Sequence, residues 1–289
     1  MLGPVSSPGG RGPSLLAISD LHVTYPENRR VVEGLRPRSP GDWLIVCGDV
    51  SETLADVEWA LGLLRARFDV VLWVPGNHDL WTVPEEPPEL RGVARYLHLV
   101  ALCRRLGVLT PEDPFPVWDG PGGPATVAPL FLLYDYSFGS NVAPTRREAL
   151  ARAFAAGVVC SDELVLHPDP FPTREAWCAA RLRETVARLA ARDLALPTVL
   201  VNHFPLTRAP LQVLRHPEFA QWCGTVHTAD WHVRYGACAV VYGHLHIPRV
   251  TFQDGVRFTE VSLGYPREWH RRDPARVVLH PVLPGSVSV

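Results

Sequence analysis

The sequence predicts an α/β protein in which two packed sheets are flanked by helices. Apolar runs rich in β-branched residues recur along the chain as candidate strands. In the first half these runs alternate with segments of helical spacing, a pattern typical of β-α-β units. From Thr198 onward they follow one another with little helix between them, which favours a second, more antiparallel sheet over a purely doubly wound fold.

The periodicity of the apolar residues predicts the individual elements. Helices are predicted over Leu54–Arg67, Val93–Leu106 and Thr173–Arg192, and the first follows Ser51 and Glu52 as capping residues. The candidate strands are the runs Leu15–Ser19, Trp43–Cys47, Val70–Val74, Val127–Tyr134, Thr198–Val201, Ala239–Tyr242, Val256–Val261 and Val277–Leu283.

The chain length of 289 residues fits one large domain. We predict a disordered tail over 1–14, which is rich in Gly, Pro and Ser, followed by a single domain over 15–289. The stretch from about 80 to 197 contains Pro-rich loops, and we interpret it as an insertion. Long loops often carry function, so we expect this insertion to determine substrate choice.

Composition and charge limit the partners of this protein. Hydrophobic residues make up 47% of the chain, yet no run of eighteen apolar residues suggests a membrane span. The first residues lack the layout of a secretory signal, so we expect a cytoplasmic location. A formal charge of −2 argues against nucleic acid or anionic lipid as a partner. Six scattered cysteines without a CxxC pair predict reduced, buried thiols.

Polar side chains follow the predicted strands at the points where the strands end. Asp20 and His22 come after the first strand, and residues two apart in extended chain point to the same side, so both can face one ion. After the second strand, Gly48 lets the backbone turn and leaves Asp49 where its carboxylate can bridge two cations. These residues suit a metal site.

Three further strand ends carry the same kind of residue. The third strand ends at Asn77, His78 and Asp79, and the Asp79 carboxylate is able to hold His78 in one tautomer. Later apolar runs end at His203, His244 and His246. Each segment alone is common by chance, but their combination in this order predicts one binuclear metal site. Oxygen and imidazole ligands without thiolates suit Mn²⁺, Fe or Zn²⁺ better than Ca²⁺ or structural zinc.

The combination resembles the calcineurin-like metallophosphoesterase superfamily. Its pattern D-x-H, G-D, G-N-H-[DE], H and G-H-x-H is matched by Asp20-Leu21-His22, Gly48-Asp49, Gly76-Asn77-His78-Asp79, His203 and Gly243-His244-Leu245-His246. The resemblance implies a four-layer α-β-β-α sandwich of two mixed sheets. It also implies hydrolysis of a phosphoester by a hydroxide that bridges two metal ions, with Mn and Fe favoured over Zn.

The same resemblance implies how the site residues divide their roles. One metal would be held by Asp20, His22, Asp49 and His246. The second would be held by Asp49, Asn77, His203 and His244. His78 would then bind no metal. Oriented by Asp79, it would stabilise the charge of the transition state or protonate the leaving oxygen.

Segments outside the metal motifs resemble the phosphopantetheinyl hydrolases of this family, which release 4′-phosphopantetheine from carrier proteins. These segments are Asp42–Val46, Trp73–His78, Phe115–Trp118, Phe131–Phe138, Ala229–His232 and Gly264–Trp269. The resemblance implies hydrolysis of the phosphodiester between a carrier-protein serine and pantetheine, with a holo-acyl or peptidyl carrier protein as the substrate. Carrier proteins are usually acidic, so arginines near the mouth of the site would steer them.

Candidate substrate contacts are arginines and aromatic residues close to the motifs. The arginines are Arg146, Arg147, Arg249 and Arg267, and the alternative for each is an ordinary solvated side chain. Trp81 and Tyr265 are the aromatic candidates close to the metals. For the other aromatics of the motif-bearing segments we expect a place in the core: Tyr134, Tyr136, Phe204 and Trp231.

Two other functions stay open on the sequence. A phosphomonoesterase, or a phosphodiesterase for a small molecule, would use the same metals and His78 on another leaving group. A non-catalytic scaffold that kept the fold for binding partners is the second, although the intact ligand set and His78 count against it. A nuclease lacks support, because the arginines form no basic run interleaved with aromatics.

Overall fold

The computed structural model describes residues 12–139, 145–270 and 278–285. Most of the predicted tail, 1–11, and Val277 of the last predicted strand lie outside these residues. The strands are β1 (Leu15–Ile18), β2 (Trp43–Val46), β3 (Val70–Trp73), β4 (Val117–Trp118), β5 (Ala125–Pro129), β6 (Thr198–Val201), β7 (Ala237–Tyr242), β8 (Val250–Gln253), β9 (Val256–Glu260) and β10 (His280–Leu283).

The α-helices are α1 (Pro26–Gly34), α2 (Leu54–Arg65), α3 (Val93–Leu106), α4 (Arg146–Ala155), α5 (Asp162–Val165), α6 (Arg174–Ala190), α7 (Trp231–Arg234) and α8 (Pro266–Trp269). Short 3₁₀ helices lie over His78–Leu80, Ser137–Gly139, Ala209–Val213, Pro217–Trp222 and Val226–Thr228. Among the described helices none has the length and apolar character needed to cross a bilayer.

The strands form two mixed sheets. The first has the order β10-β1-β2-β3, in which only β10 is antiparallel to its neighbour. The second has the order β4-β5-β6-β7-β9-β8, and its inner pairings are all parallel. Antiparallel pairing occurs at its two edges, between β4 and β5 and between β8 and β9. The expectation of a more antiparallel second sheet is therefore wrong for its centre, because long crossovers return the chain to the same edge before β6 and β7.

The predicted four-layer α-β-β-α sandwich is confirmed by the packing of the core. Alternate residues of both sheets, such as Ile45, Val127 and Val241, face each other in the layer between the sheets. The other face of the first sheet packs against α1, α2 and α3, and that of the second sheet against α6 and α7. The inner strands are therefore buried on both sides, which explains their continuous apolar sequence, whereas the edge strands β4 and β8 are partly exposed.

The stretch predicted to be an insertion, 80–197, contributes partly to the layers. It supplies α3, β4, β5 and α6, whereas α4 and α5 belong to no sheet layer. The predicted strand Val127–Tyr134 ends at Pro129, because the amide of Leu132 donates to the side chain of Asn202 instead of a neighbouring strand. An apolar run alone cannot distinguish a strand from a buried loop. The organisation as a single domain stays a prediction.

The carboxyl ends of five parallel strands meet where the two sheets touch. A bridge between Ser19 and Ser262 joins the sheets just beyond β1 and β9. Gly243 follows β7 at this contact, and a Cβ there would collide with the side chains of Ser19 and Asp20. Only glycine allows so close an approach of the two sheets. The polar residues that follow β1, β2, β3, β6 and β7 are thereby collected at one place.

Candidate metal centre

The structure brings all seven predicted ligands together at these strand ends. Asp20, His22 and His203 are wholly buried, and the side chain of His246 is the most accessible, at 14%. The remaining three are also buried: Asp49, Asn77 and His244. Charged side chains are seldom buried so completely unless they are paired or bind a metal.

The backbone at the ligands lies in the left-handed region. Five of the seven candidate ligands have a positive φ: Asp20, His22, Asp49, His244 and His246. Among the other described residues that are not glycine, this holds only for Tyr136 and Asp254. Each such residue costs on the order of 1 kcal/mol or more, and such strain tends to be retained at functional sites. The left-handed backbone conformation turns the ligand side chains out of the strand direction and toward one another.

The ligand atoms lie at the distances expected around cations. The Nε2 atom of His246 lies 3.0 Å from Asp20 Oδ1 and 3.2 Å from His22 Nε2. Two ligands at right angles on one ion, each about 2.1 Å from it, are about 3.0 Å apart. Two facing imidazole nitrogens at this distance are well explained by a shared cation. The first cluster, Asp20, His22 and His246, therefore fits one metal ion.

The second cluster is formed around Asp49. His203 Nε2 lies 3.4 Å from Asp49 Oδ2 and 3.2 Å from Asn77 Oδ1, and that oxygen lies 3.2 Å from His244 Nδ1. The ligand atoms of Asp49, His203 and His244 lie within 4.8 Å of one another. Asp49 also forms a group with His22 of the first cluster and with His78. Its carboxylate thus lies between the two groups, where a bridging ligand is needed.

Hydrogen bonds fix which ring nitrogen faces the site. His203 Nδ1 donates to the Cys47 carbonyl at 2.9 Å, and His246 Nδ1 lies 2.7 Å from Glu268 Oε2. Each bond leaves Nε2 directed at the cluster, an arrangement common for histidines that bind metals. Glu268 lies within the family-like segment Gly264–Trp269, but no sequence pattern marks its separate role.

Charges within the cluster favour bound protons or cations. Burial lowers the pKa of His203 and His246, but the carboxylates of Asp49 and Asp20 outweigh this effect and raise the values to about 9 and about 10. In contrast, burial and the neighbouring imidazoles lower the pKa of His22 to about 3. A metal ion must therefore displace protons from His203 and His246 when it binds.

His78 lies beside the clusters with its own set of contacts. Its Nδ1 atom lies 2.7 Å from Glu52 Oε1, its Nε2 atom lies 3.5 Å from the hydroxyl of Tyr265, and its ring stacks on Trp81 with centroids 3.7 Å apart. Burial lowers the pKa of His78, but Asp49 and Glu52 outweigh it and raise the pKa above its usual value. His78 is thus able to hold a proton on the Nε2 atom that faces the cleft.

Asp79 does not orient the His78 ring, so that part of the prediction is wrong. Its carboxylate accepts hydrogen bonds of 2.8–3.0 Å from the backbone amides of Asp49, Val50 and Gly76. A fourth, longer hydrogen bond comes from the backbone amide of Ser51. Asp79 therefore joins the turn after β2 to the turn after β3.

The sequence also left two carboxylates unassigned. The sequence predicts Glu52 as part of a helix cap, but the cap of α2 is Thr53, and Glu52 instead holds His78. Asp162 at the start of α5 is wholly buried and accepts hydrogen bonds from Asn77 Nδ2 at 3.0 Å and Trp81 Nε1 at 2.7 Å. The bond to Asn77 directs the amide oxygen toward the second cluster. Nothing in the sequence marks such a long-range partner.

A cleft of about 440 Å³ opens above the two clusters. Three of the six candidate substrate contacts line it: Trp81, Tyr265 and Arg267. Tyr265 stacks on His22 with ring centroids 4.5 Å apart, and the guanidinium of Arg267 lies 5.3 Å from the Tyr265 ring. These residues are placed to contact a molecule that enters the cleft.

The other three candidate arginines do not line this cleft. Arg146 lies 3.0 Å from Glu163 and 3.4 Å from Glu175, so its charge is paired within the protein. Arg249 donates to a backbone carbonyl. Arg147 is exposed on α4. For Arg146 the prediction of a steering charge at the mouth is wrong, because the sequence cannot show which carboxylates pair with an arginine. For Arg147 and Arg249 a steering role stays a prediction.

The fold and the site define a class of protein. The sequence profile of the calcineurin-like phosphoesterases matches residues 13–248, and the chain belongs to that family. Enzymes of this family are hydrolases that use a dinuclear metal centre. The residues collected here fit such a centre, because their donors, spacing and charge suit two cations.

Two mycobacterial comparisons are far more specific. The chain is 57% identical to the acyl-carrier-protein phosphodiesterase PptH of Mycobacterium tuberculosis over 265 residues, which are 92% of this chain and 82% of that protein. It is also similar to the crystal structure of the phosphopantetheinyl hydrolase PptH from Mycobacterium tuberculosis, with a TM-score of 0.93 and 56% identity. That match covers 96% of this chain and 98% of the other. The predicted resemblance is confirmed.

Replacing Asp162 tests how the second cluster is oriented. We expect Asp162→Ala to weaken metal binding by about 10- to 100-fold, because the Asn77 amide loses its partner. Asp162→Asn keeps an acceptor oxygen and should lose less. Metal content after dialysis against a competing chelator measures the effect, with exposed Asp119→Ala as the control. Unchanged metal retention in a folded Asp162→Ala protein would contradict this role.

Metal binding should depend on pH in a defined direction. His203 and His246, with pKa values of about 9 and about 10, hold protons at neutral pH that a metal must displace. We therefore expect affinity for Mn²⁺ to rise as the pH increases from about 6 toward these values. Calorimetric titration in two buffers of different ionisation enthalpy counts the protons released. Binding without proton release would refute the assignment of these two ligands.

Proposed function

We propose that this chain hydrolyses the phosphodiester that links 4′-phosphopantetheine to the serine of a carrier protein, giving the apo-carrier. The proposal rests on the 57% identity to a carrier-protein phosphodiesterase over 92% of the chain. The chemistry rests on one structural observation, the two clusters of carboxylate and imidazole ligands below an open cleft. A holo-acyl or peptidyl carrier protein is the substrate in this proposal.

The proposed ligand assignment gives each metal four residues. Asp20, His22, Asp49 and His246 would hold the first ion. Asp49, Asn77, His203 and His244 would hold the second. The donor set of oxygen and imidazole suits Mn and Fe, and Zn is the alternative. When bound, two such ions polarise the phosphoryl oxygens, supply an activated water and hold the attacking and leaving oxygens in line.

In this proposal His78 supplies the proton for the leaving group. The seryl oxygen gains negative charge as its bond to phosphorus breaks, and the protonated Nε2 of His78 faces the cleft where that oxygen must lie. The Glu52 carboxylate at Nδ1 stabilises the imidazolium and keeps the ring in one orientation. Trp81 stacks on the other side of the ring and limits its movement.

Arg267 and Tyr265 complete the proposed substrate site. The guanidinium of Arg267 would bind a phosphoryl oxygen or an acidic group of the carrier, since it is the one arginine among the described residues that line the cleft. Tyr265 offers its hydroxyl beside His78 Nε2. A cytoplasmic location belongs to the same proposal, because all six cysteines are free thiols and that compartment keeps thiols reduced.

Release of the prosthetic group tests the proposed substrate directly. We expect the protein, loaded with Mn²⁺, to convert a holo-acyl carrier protein into its apo form. Intact mass spectrometry of the carrier measures loss of the phosphopantetheine mass. If aryl phosphates are hydrolysed while the holo-carrier keeps its mass, the enzyme is a phosphoesterase for another substrate and the carrier proposal fails.

Replacing His78 separates proton transfer from metal binding. We expect His78→Ala to lower kcat by about 10²- to 10⁴-fold, as for loss of a general acid, while the protein keeps both metals. Metal analysis and steady-state kinetics on the same preparation measure the two effects. His78 also lies close to His22 and Asp49, so major metal loss with normal turnover by the remaining loaded enzyme would identify it as a ligand instead.

The pH dependence of kcat is a second test of His78 as the general acid. A general acid must be protonated, so activity falls as the pH rises through the pKa of His78. The carboxylate of Glu52 raises that pKa, and we expect Glu52→Gln to move the alkaline limb of the kcat profile to lower pH. An alkaline limb at the same pH in both proteins would show that another group supplies the proton.

A further inference from the structure

Exposed apolar side chains are concentrated in one short part of the chain. The three most exposed large apolar residues among those described are Leu164, Phe154 and Val159, at 79%, 76% and 73%. All three lie between the middle of α4 and the end of α5. Scattered apolar residues are normal on a surface, but a contiguous group at one place marks a contact site.

These side chains line a groove that adjoins the catalytic cleft. The groove has a volume of about 350 Å³, and its apolar lining consists of Leu150, Phe154, Val158, Val159, Leu164 and Trp222. Val159 and Cys160 line both the groove and the cleft above the metal ligands. A molecule whose reacting bond lies in the cleft therefore reaches the groove without crossing any other part of the surface.

The groove is held at a fixed position relative to the candidate ligands. Asp162, two residues before exposed Leu164, points inward and bonds to Asn77 and Trp81. The neighbouring Glu163 accepts hydrogen bonds from Arg174 and from the indole of Trp222 at the base of the groove. One face of α5 thus orients the site while the other carries the apolar surface. Rigid support of this kind is what a docking surface requires.

We propose that this groove binds the body of the carrier protein next to its modified serine. The inference rests on the proposed function and follows from the covalent structure of that substrate. The bond that breaks joins phosphorus to the seryl oxygen, which is separated from the carrier backbone by a single carbon. The carrier surface must therefore touch the rim of the cleft, and the apolar part of that rim is the groove.

The chemistry of the lining favours the carrier body over the pantetheine arm. The arm carries two amides and a hydroxyl that need hydrogen-bond partners when they leave water. The groove offers almost none, because its one carboxylate, Glu163, already accepts bonds from Tyr136, Trp222, Arg146 and Arg174. Apolar side chains from a carrier helix need no such partners.

The charge beside the groove fits an acidic partner. Arg147, Leu150 and Phe154 are three and four residues apart on α4, so they share one face of that helix. Arg147 is exposed and has no ion pair with any residue in the described part of the chain. Arg267 lines the adjoining cleft. An acidic carrier would thus meet one arginine on the helix that carries Leu150 and Phe154 and a second in the adjoining cleft, which favours rapid and correctly oriented docking.

The test compares a carrier substrate with a small diester. We expect the double variant Phe154→Ser with Leu164→Ser to lower kcat/KM for a holo-acyl carrier protein by about tenfold or more, mainly through KM. Turnover of bis(4-nitrophenyl) phosphate, which has no carrier, should change less than twofold. The matched control is Phe252→Ser on β8, which removes a side chain of 67% exposure and should leave both activities unchanged.

Competition identifies which part of the substrate occupies the groove. Excess apo-carrier should inhibit the wild-type enzyme and inhibit the double variant far less. If the variant instead loses inhibition by free 4′-phosphopantetheine, the groove holds the arm and the proposal is overturned. Equal kcat/KM of variant and wild type on the holo-carrier also overturns it. Failure of the wild-type enzyme to release phosphopantetheine would instead refute the proposed function.

Discussion

Two buried carboxylates at the contact of the two sheets are the constraint on which the rest of the site depends. Asp20 and Asp49 follow the ends of β1 and β2, where burial is too complete for uncompensated negative charge. The structure compensates with imidazoles from the opposite sheet, His203 and His246. The close approach of the sheets at Gly243 and the left-handed backbone at the ligands follow from this requirement.

Much of this arrangement could be predicted from the sequence because it depends on strand direction. Apolar runs identify strands, parallel strands place their carboxyl ends together, and the polar residues after them must then meet. The contacts of Glu52, Glu268 and Asp162 could not be predicted in this way. Their partners are 26, 22 and 85 residues away in the sequence, and a single carboxylate has no pattern that reveals which side chain it orients.

The segment that holds α4 and α5 contacts the candidate metal site on one side and forms the proposed docking groove on the other. Asp162 joins it to a candidate ligand and to Trp81, which in turn stacks on His78. The outward side chains of the same segment form the apolar groove. A family that shares one metal site can thus acquire a particular substrate by changing a segment outside the sheets, provided that the inner contacts stay in place. This separation explains why the metal motifs alone define a reaction but not its substrate.

Anomalous diffraction from crystals grown with Mn²⁺ tests the central claim most directly, since it locates metal ions independently of activity. The account predicts two peaks about 3.5–4 Å apart. One should lie among Asp20, His22 and His246, the other among Asn77, His203 and His244, with Asp49 between them. A single peak, or a second peak bound by His78 in place of Asn77 and His244, would contradict it.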